Sequence, residues 1–204
     1  MTKESEAGSF AVVLLAAGSS SRLGQAKQLI SIDGESLVRR TARMLLSLNP
    51  VSLTVVAGCN SPDVEKELLG LEVDVVCNDS WEQGMGGSIA CGIRNIAESV
   101  EGVLITVCDQ WRVNEADLQQ LISHWTTDIS RVTVASWLEG KARIYGPPAL
   151  FPRKYIRELK RLEGKRGAKT IIARHRDSVQ FASMENAAFD LDTPEDLQQL
   201  LNRS

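Results

Sequence analysis

Histidine is nearly absent: His124 and His175 are the only two among 204 residues. That scarcity excludes a histidine-rich metal centre, and no Ser-His-Asp or Cys-His arrangement is available for nucleophilic catalysis. The four cysteines, Cys59, Cys77, Cys91 and Cys108, lie far apart and form no C-x-x-C pair. A zinc site and a disulfide framework are therefore both disfavoured, and buried, reduced thiols in a cytoplasmic protein are expected. No apolar run approaches membrane-spanning length. A large net charge is lacking too: Lys+Arg 23 against Asp+Glu 26 leaves −3, with no general pull toward nucleic acid or a membrane surface. There is no G-x-G-x-x-G dinucleotide fingerprint and no Walker P-loop. Repeats, low-complexity tracts and linkers are also lacking.

What is present is a regular alternation of short apolar runs and amphipathic stretches. Strands are expected at 10–15, 53–57, 73–77, 102–108 and 131–136, with a short one at 149–151 and extended pieces at 178–181 and 189–191. Helices are expected at 36–47, 63–69, 87–97, 114–125, 153–162, 168–174 and 195–201. This pattern predicts a three-layer α/β/α fold around a mostly parallel sheet covered on both faces. Residues 1–9 are polar with no apolar signal core and are expected to be a disordered tail. Residues 10–204 are expected to form a single domain, large enough to bury a sizeable core.

The most informative stretch is Leu14-Leu-Ala-Ala-Gly-Ser-Ser-Ser-Arg-Leu-Gly-Gln-Ala-Lys27. A buried strand runs into Ala16, Ala17 and Gly18, where side-chain bulk disappears. Backbone N–H groups in such a turn are open to an anion, while Arg22 and Lys27 add positive charge. The combination suits a triphosphate, although an ordinary strand-to-helix turn with solvated cations has the same composition. In open α/β sheets ligands gather beyond the carboxyl ends of strands, and other polar residues fall there as well. Asp109 ends the fourth strand, a placement that suits a hard cation. Asp190 and Asp192 share a strand face if residues 189–191 are extended. Asp192-Thr-Pro-Glu is equally a helix start, with Asp192 or Thr193 as the cap. Asn78-Asp-Ser-Trp-Glu-Gln-Gly-Met-Gly-Gly-Ser88 offers glycines for close approach to a flat ligand; a flexible loop capped by Ser88 is the alternative.

These segments resemble one known family. Leu15-Ala-Ala-Gly-x-Ser-x-Arg-Leu-Gly-x-x-Lys27 is similar to the signature of MobA-like NTP transferases, and most of all to the molybdenum cofactor cytidylyltransferases (MocA-type). Cys108-Asp-Gln110 and Phe189-Asp-Leu-Asp-Thr-Pro-Glu-Asp-Leu197 look like that group's strand-end Asp motif and C-terminal metal segment. The resemblance runs from Phe10 to Leu197. It implies a sheet of the nucleotide-diphospho-sugar transferase (GT-A-like) type and a Mg²⁺-dependent transfer of a nucleoside monophosphate, CTP favoured, with pyrophosphate released. The acceptor implied first is molybdopterin; another sugar or polyol phosphate is the enzymatic alternative, and a non-catalytic nucleotide-binding chaperone the other. Residue by residue, it implies that Arg22, Lys27 and Asp109 are catalytic and that Asp109 and Asp192 are metal ligands, Asp190 being the second choice. Nucleotide contacts are implied for Leu15, Ala16, Ala17, Gly18, Ser19, Ser20, Arg22, Lys27, Asn78, Gly86, Gly87, Ser88 and Asp109. Gly146-Pro-Pro-Ala-Leu-Phe-Pro152 and Gly164-Lys-Arg-Gly-Ala-Lys-Thr170 look like acceptor-side segments, with Lys165, Arg166 and Lys169 either facing an acceptor phosphate or simply solvated. The chain departs from relatives at Trp111, where they carry Pro, and at Pro147, where cytidylyltransferases carry His. A molybdoenzyme or its chaperone is an implied partner.

Overall fold

The computed structural model describes residues 8–18, 23–58, 60–97 and 99–202. In chain order the elements are β1 (Phe10–Ala16), β2 (Ser31–Ile32), β3 (Glu35–Ser36), α1 (Leu37–Ser47), β4 (Leu53–Ala57), α2 (Ser61–Glu67), β5 (Asp74–Cys77) and α3 (Met85–Ile93). They continue with β6 (Gly102–Val107), α4 (Glu115–Thr126), β7 (Val132–Glu139), β8 (Ala142–Pro152), α5 (Ile156–Leu159), α6 (Lys169–Arg174), β9 (Val179–Ser183) and α7 (Pro194–Leu201). Seven strands form one sheet in the order β5-β4-β1-β6-β8-β7-β9. All run parallel except β8, which is antiparallel to both β6 and β7.

β1 sits at the centre, and all seven of its residues are buried. Phe10, Val12 and Leu14 pack with Val38, Ala42 and Leu45 of α1 and Leu118, Leu121 and Trp125 of α4. The alternate residues Ala11, Val13 and Leu15 pack on the other face with Ile89 and Ile93 of α3 and Ile171 and Ile172 of α6. Apolar side chains on both sides of one strand explain why it reads as an unbroken hydrophobic run. The layered, mostly parallel architecture is the expected one. No helix among the described residues is long and apolar enough to cross a membrane.

Several elements differ from expectation. The short strand at 149–151 is the end of the eleven-residue β8, and β7 runs on to Glu139. Val134 pairs with Ala149 but Ala135 with Gly146, leaving Pro147 and Pro148 outside the ladder as a bulge. Two residues without N–H groups and a glycine mask a strand that is otherwise continuous. Residues 189–191 are not a strand at all; they cross the end of the sheet as irregular chain. The helix expected over 153–162 is a 3₁₀ turn (Arg153–Tyr155) followed by the single turn of α5. Between β2 and β3, Asp33 and Gly34 both adopt positive φ (52° and 83°), the two-residue turn that an Asp-Gly pair favours. Of the cysteines, Cys108 is buried, Cys91 half-buried and Cys77 exposed, because β5 is the edge strand; Cys59 lies outside the described residues.

Parallel pairing brings the carboxyl ends of β1, β4, β5 and β6 to one edge of the sheet. The reversed direction of β8 carries Gly146 and Pro147 to that same edge, since Ile105 pairs with Ala149.

α3 approaches the sheet through Gly92, where an added Cβ would stand 2.6 Å from Val13 Cγ1 and 2.7 Å from Val56 Cγ2. Both neighbours are β-branched and stiff at χ1. Gly92→Ala is therefore expected to lower unfolding stability by about 1–3 kcal/mol despite alanine's better helix propensity. Urea denaturation of the two proteins checks this, and equal or higher stability in the variant would show that α3 does not rest on the sheet at this point.

Candidate active site

Lys27 begins a 3₁₀ turn (Lys27–Leu29) beyond the β1 loop, and its stem passes the α-carbon of Gly18, where a Cβ would stand 3.7 Å from Lys27 Cε. Its ammonium donates to Asp109 Oδ2 and to Asp192 Oδ1, the latter at 3.0 Å. The side chains of Lys27 and Asp109 are 13% and 19% exposed, and that of Asp192 37%. Three residues spread over 166 positions of sequence thus meet beyond β6.

Backbone hydrogen bonds hold the meeting point. Cys108 N–H donates to Leu15 C=O (3.2 Å), fastening the end of β6 to β1. Leu191 N–H donates to Asp109 C=O (2.9 Å), so Asp190 and Asp192 are brought to Asp109 by the residue between them rather than by strand alternation. Gln110, almost fully buried, donates through Nε2 to Pro147 C=O (2.9 Å) and Ala187 C=O (2.8 Å). It ties the turn after β6 to the β8 bulge and to the chain leading into 189–192. The capping alternative for Asp192 is resolved in favour of its neighbour: Thr193 caps α7 reciprocally with Asp196, with Pro194 in the first turn. The Asp192 carboxylate is left for Lys27.

Burial disfavours the Lys27 ammonium, but the Asp109 and Asp192 carboxylates outweigh it and hold its pKa above the ordinary lysine value. Asp190 is pushed up to about 6, by burial first and then by the negative charges of Asp109 and Asp192. Burial likewise pushes the Cys108 thiol up to about 12, so this cysteine is no nucleophile. Asp109 Oδ1 is buried and has no hydrogen-bond partner. Hard carboxylate oxygens, one of them unsatisfied, fit a divalent cation, and Asp109, Asp192 and Asp190 are the residues able to hold one. Among the described residues no ready-made cage of three acidic, histidine or cysteine ligands exists.

A cavity of about 550 Å³ opens beside these carboxylates. Leu15, Asp109 and Asp190 line it together with Trp137, Pro147, Lys165, Arg166 and Lys169. Asn78 and Gly87 instead line a separate cleft of about 380 Å³, with Arg94 and Lys160. Ser88 is not a cap: α3 starts after Gly84, and buried Ser88 accepts a hydrogen bond from Asn78 Nδ2 at 3.0 Å inside the helix. Gly86 has no room for a side chain, since a Cβ would lie 2.5 Å from the Glu163 carbonyl oxygen. Its glycine is explained by packing within the chain. Ala17 reaches the same edge, its carbonyl oxygen 2.7 Å from where a Cβ on Gly58 would be. Ser19, Ser20 and Arg22 lie outside the described residues.

Two contributors to the site were not singled out from sequence. Gln110 appears only as part of a motif, although a polar residue directly after a strand-end Asp is a signal for a buried anchor. Trp137 gives no signal, because nothing local ties the far end of β7 to the end of β6.

The MobA-like NTP transferase domain matches residues 12–179 of the chain. The bifunctional protein GlmU of Streptomyces coelicolor is 30% identical over 174 residues, covering 83% of this chain and 34% of GlmU, so the chain spans about a third of that relative's length. The purine catabolism protein PucB of Bacillus subtilis is 27% identical over 199 residues, covering 90% of this chain and 92% of PucB. Among solved structures, Rv0371c of Mycobacterium tuberculosis H37Rv superposes with a TM-score of 0.83 at 25% identity, over 97% of this chain and 99% of its own. A second structure of Rv0371c, in complex with manganese, has a TM-score of 0.77 at 22% identity, over 96% and 100%. The sheet order and these likenesses give the nucleotide-diphospho-sugar transferase fold. The chain belongs to the MobA-like NTP transferase family.

Proposed function

We propose that the protein transfers a nucleoside monophosphate from a nucleoside triphosphate, CTP in the first place, to the phosphate of molybdopterin in a magnesium-dependent cytoplasmic reaction. The observation that carries this reading is the Lys27 ammonium set between the Asp109 and Asp192 carboxylates at the ligand-facing edge of the sheet. An acceptor phosphate oxygen bonds to the α-phosphorus, the α–β bridging P–O bond breaks, and its electron pair leaves with pyrophosphate. No protein nucleophile is needed, in keeping with two histidines and a deeply buried Cys108. The work is positioning and charge neutralisation.

Backbone N–H groups at the Gly18 turn take the β- and γ-phosphates, and Leu15, Ala16, Ala17, Ser19 and Ser20 are further nucleotide contacts. Arg22 and Lys27 neutralise the charge that grows on the leaving pyrophosphate. Asn78, Gly87 and Ser88, with the backbone at Gly86, face the base. Asp109 and Asp192, with Asp190 as second choice, would hold magnesium, which when bound would supply Lewis-acid charge for the transfer. The manganese complex of Rv0371c supports divalent-metal use. A molybdoenzyme or its chaperone is the receiver of the product.

Asp109→Ala is expected to lower pyrophosphate release by at least ~10²–10³, the loss typical of one electrostatic contact to the transition state, with circular dichroism unchanged. Normal turnover in that folded variant would remove the metal assignment. Chelation with EDTA should stop the reaction and added Mg²⁺ restore it. In a thermal-shift series with Mg²⁺ and each of CTP, GTP, ATP and UTP, CTP should raise Tm most. A larger shift with GTP would move the protein to the guanylyl branch.

A further inference from the structure

Three links join the turn after β6 to the chain that carries Asp190 and Asp192, and they fall on alternate residues. Ala187, at the end of a 3₁₀ turn (Glu185–Ala188), accepts from Gln110 Nε2 at 2.8 Å, and Leu191 N–H donates to Asp109 C=O at 2.9 Å. Between them, the Phe189 ring packs against the Arg112 guanidinium, whose Cζ stands 3.5 Å from the ring centroid. The acidic residues alternate with these anchors: Asp190 lines the 550 Å³ cavity and Asp192 takes the Lys27 ammonium. Arg112 makes two further contacts. Its Cζ lies 4.7 Å from the Trp111 ring centroid, and its Nη2 donates to Gln199 Oε1 of α7 at 3.5 Å. One side chain thus holds the chain just before the acidic pair and the helix just after it.

We infer that Arg112 is a positioning residue for the acidic pair: its guanidinium, stacked on Phe189, fixes the rotation of residues 189–192 so that Asp190 and Asp192 come to the site beside Asp109. The inference rests on the reading of Asp109 and Asp192 as metal ligands and adds the residue that aims one of them. Residues 189–191 belong to no strand, so no ladder of hydrogen bonds sets their direction along this stretch. A side-chain clamp supplies what the ladder would. Arginine suits the task, because a planar guanidinium covers a ring with its face while still donating from its edge. A lysine ammonium has no such face, and its three donors spread from a point. Arg112 acts through Phe189 and not on the reacting atoms, in the way that outer partners orient the ligands of metal sites.

Two titrations of the full chain with Mn²⁺ test this: electron paramagnetic resonance of the metal alone with the protein, and the Mn²⁺ concentration that half-activates pyrophosphate release. Arg112→Met and Phe189→Leu should each weaken Mn²⁺ about 10- to 100-fold, the range for removing a support behind a metal ligand. The double variant should be no weaker than the poorer single one, because both break the same contact. Arg112→Lys keeps the charge but loses the flat stack, and should show most of the loss. Phe189→Trp, which keeps a ring under the guanidinium, should stay near wild type. Arg40→Met, a change in the same 340 Å³ cleft that Arg112 lines, should leave Mn²⁺ binding unaltered. Excess Mn²⁺ should narrow the turnover deficit of Arg112→Met, a rescue that a mere loss of folded protein would not allow. Wild-type Mn²⁺ affinity in either Arg112 variant, with circular dichroism unchanged, overturns the inference, as does a loss in Arg112→Met that Phe189→Leu does not share. If wild type shows neither Mn²⁺ binding nor metal-dependent turnover, the metal reading itself falls, and the positioning role with it.

Discussion

The carboxylates of Asp109 and Asp192 meet the Lys27 ammonium beyond the end of a buried strand, with Asp190 beside them, and the burial of this charge is the constraint on which this edge of the protein depends. Lys27 is the resident answer, reaching from the loop after β1 to bridge two of them. One ammonium does not balance three acids. Asp190 is pushed up to about 6, by burial first and by the charges of Asp109 and Asp192 after it, and Asp109 keeps one oxygen buried without a partner. Such a cluster is held against its own repulsion by neutral backbone contacts, chiefly the Leu191-to-Asp109 hydrogen bond and the double grip of Gln110. Charge concentrated at this cost in stability belongs to a site that handles charge.

The sheet supplies the geometry. Parallel strands deliver the chain at Ala17 and Gly18 after β1 and Asp109 after β6 to a common edge. The single reversed strand then delivers Gly146 and Pro147 to that edge from the opposite direction. The bulge at Pro147 and Pro148 serves this placement, since it frees the Pro147 carbonyl to accept from Gln110.

Strands buried on both faces were legible in the sequence, because β1 and β6 are unbroken apolar runs. Lys27 and the strand-end Asp109, which the structure brings together, were equally legible, since each sits where periodicity breaks. β8 was hidden by its prolines, whose lack of N–H groups reads as a loop although flanking residues still pair. The acidic pair at Asp190 and Asp192 was visible as residues but not as geometry. Their convergence depends on a hydrogen bond to a residue more than eighty positions away, which no local pattern encodes. Trp137 was invisible for the same reason, and Cys77 was misjudged because edge and central strands share a composition.

The stretch that follows β5 meets residues 163–165 without any side chain in between. A Cβ on Gly84 would stand 2.7 Å from the Gly164 carbonyl carbon, and one on Gly86 2.5 Å from the Glu163 carbonyl oxygen. A seam of bare main chain has no rotamers with which to absorb an added side chain, so glycine is required at both positions along this contact.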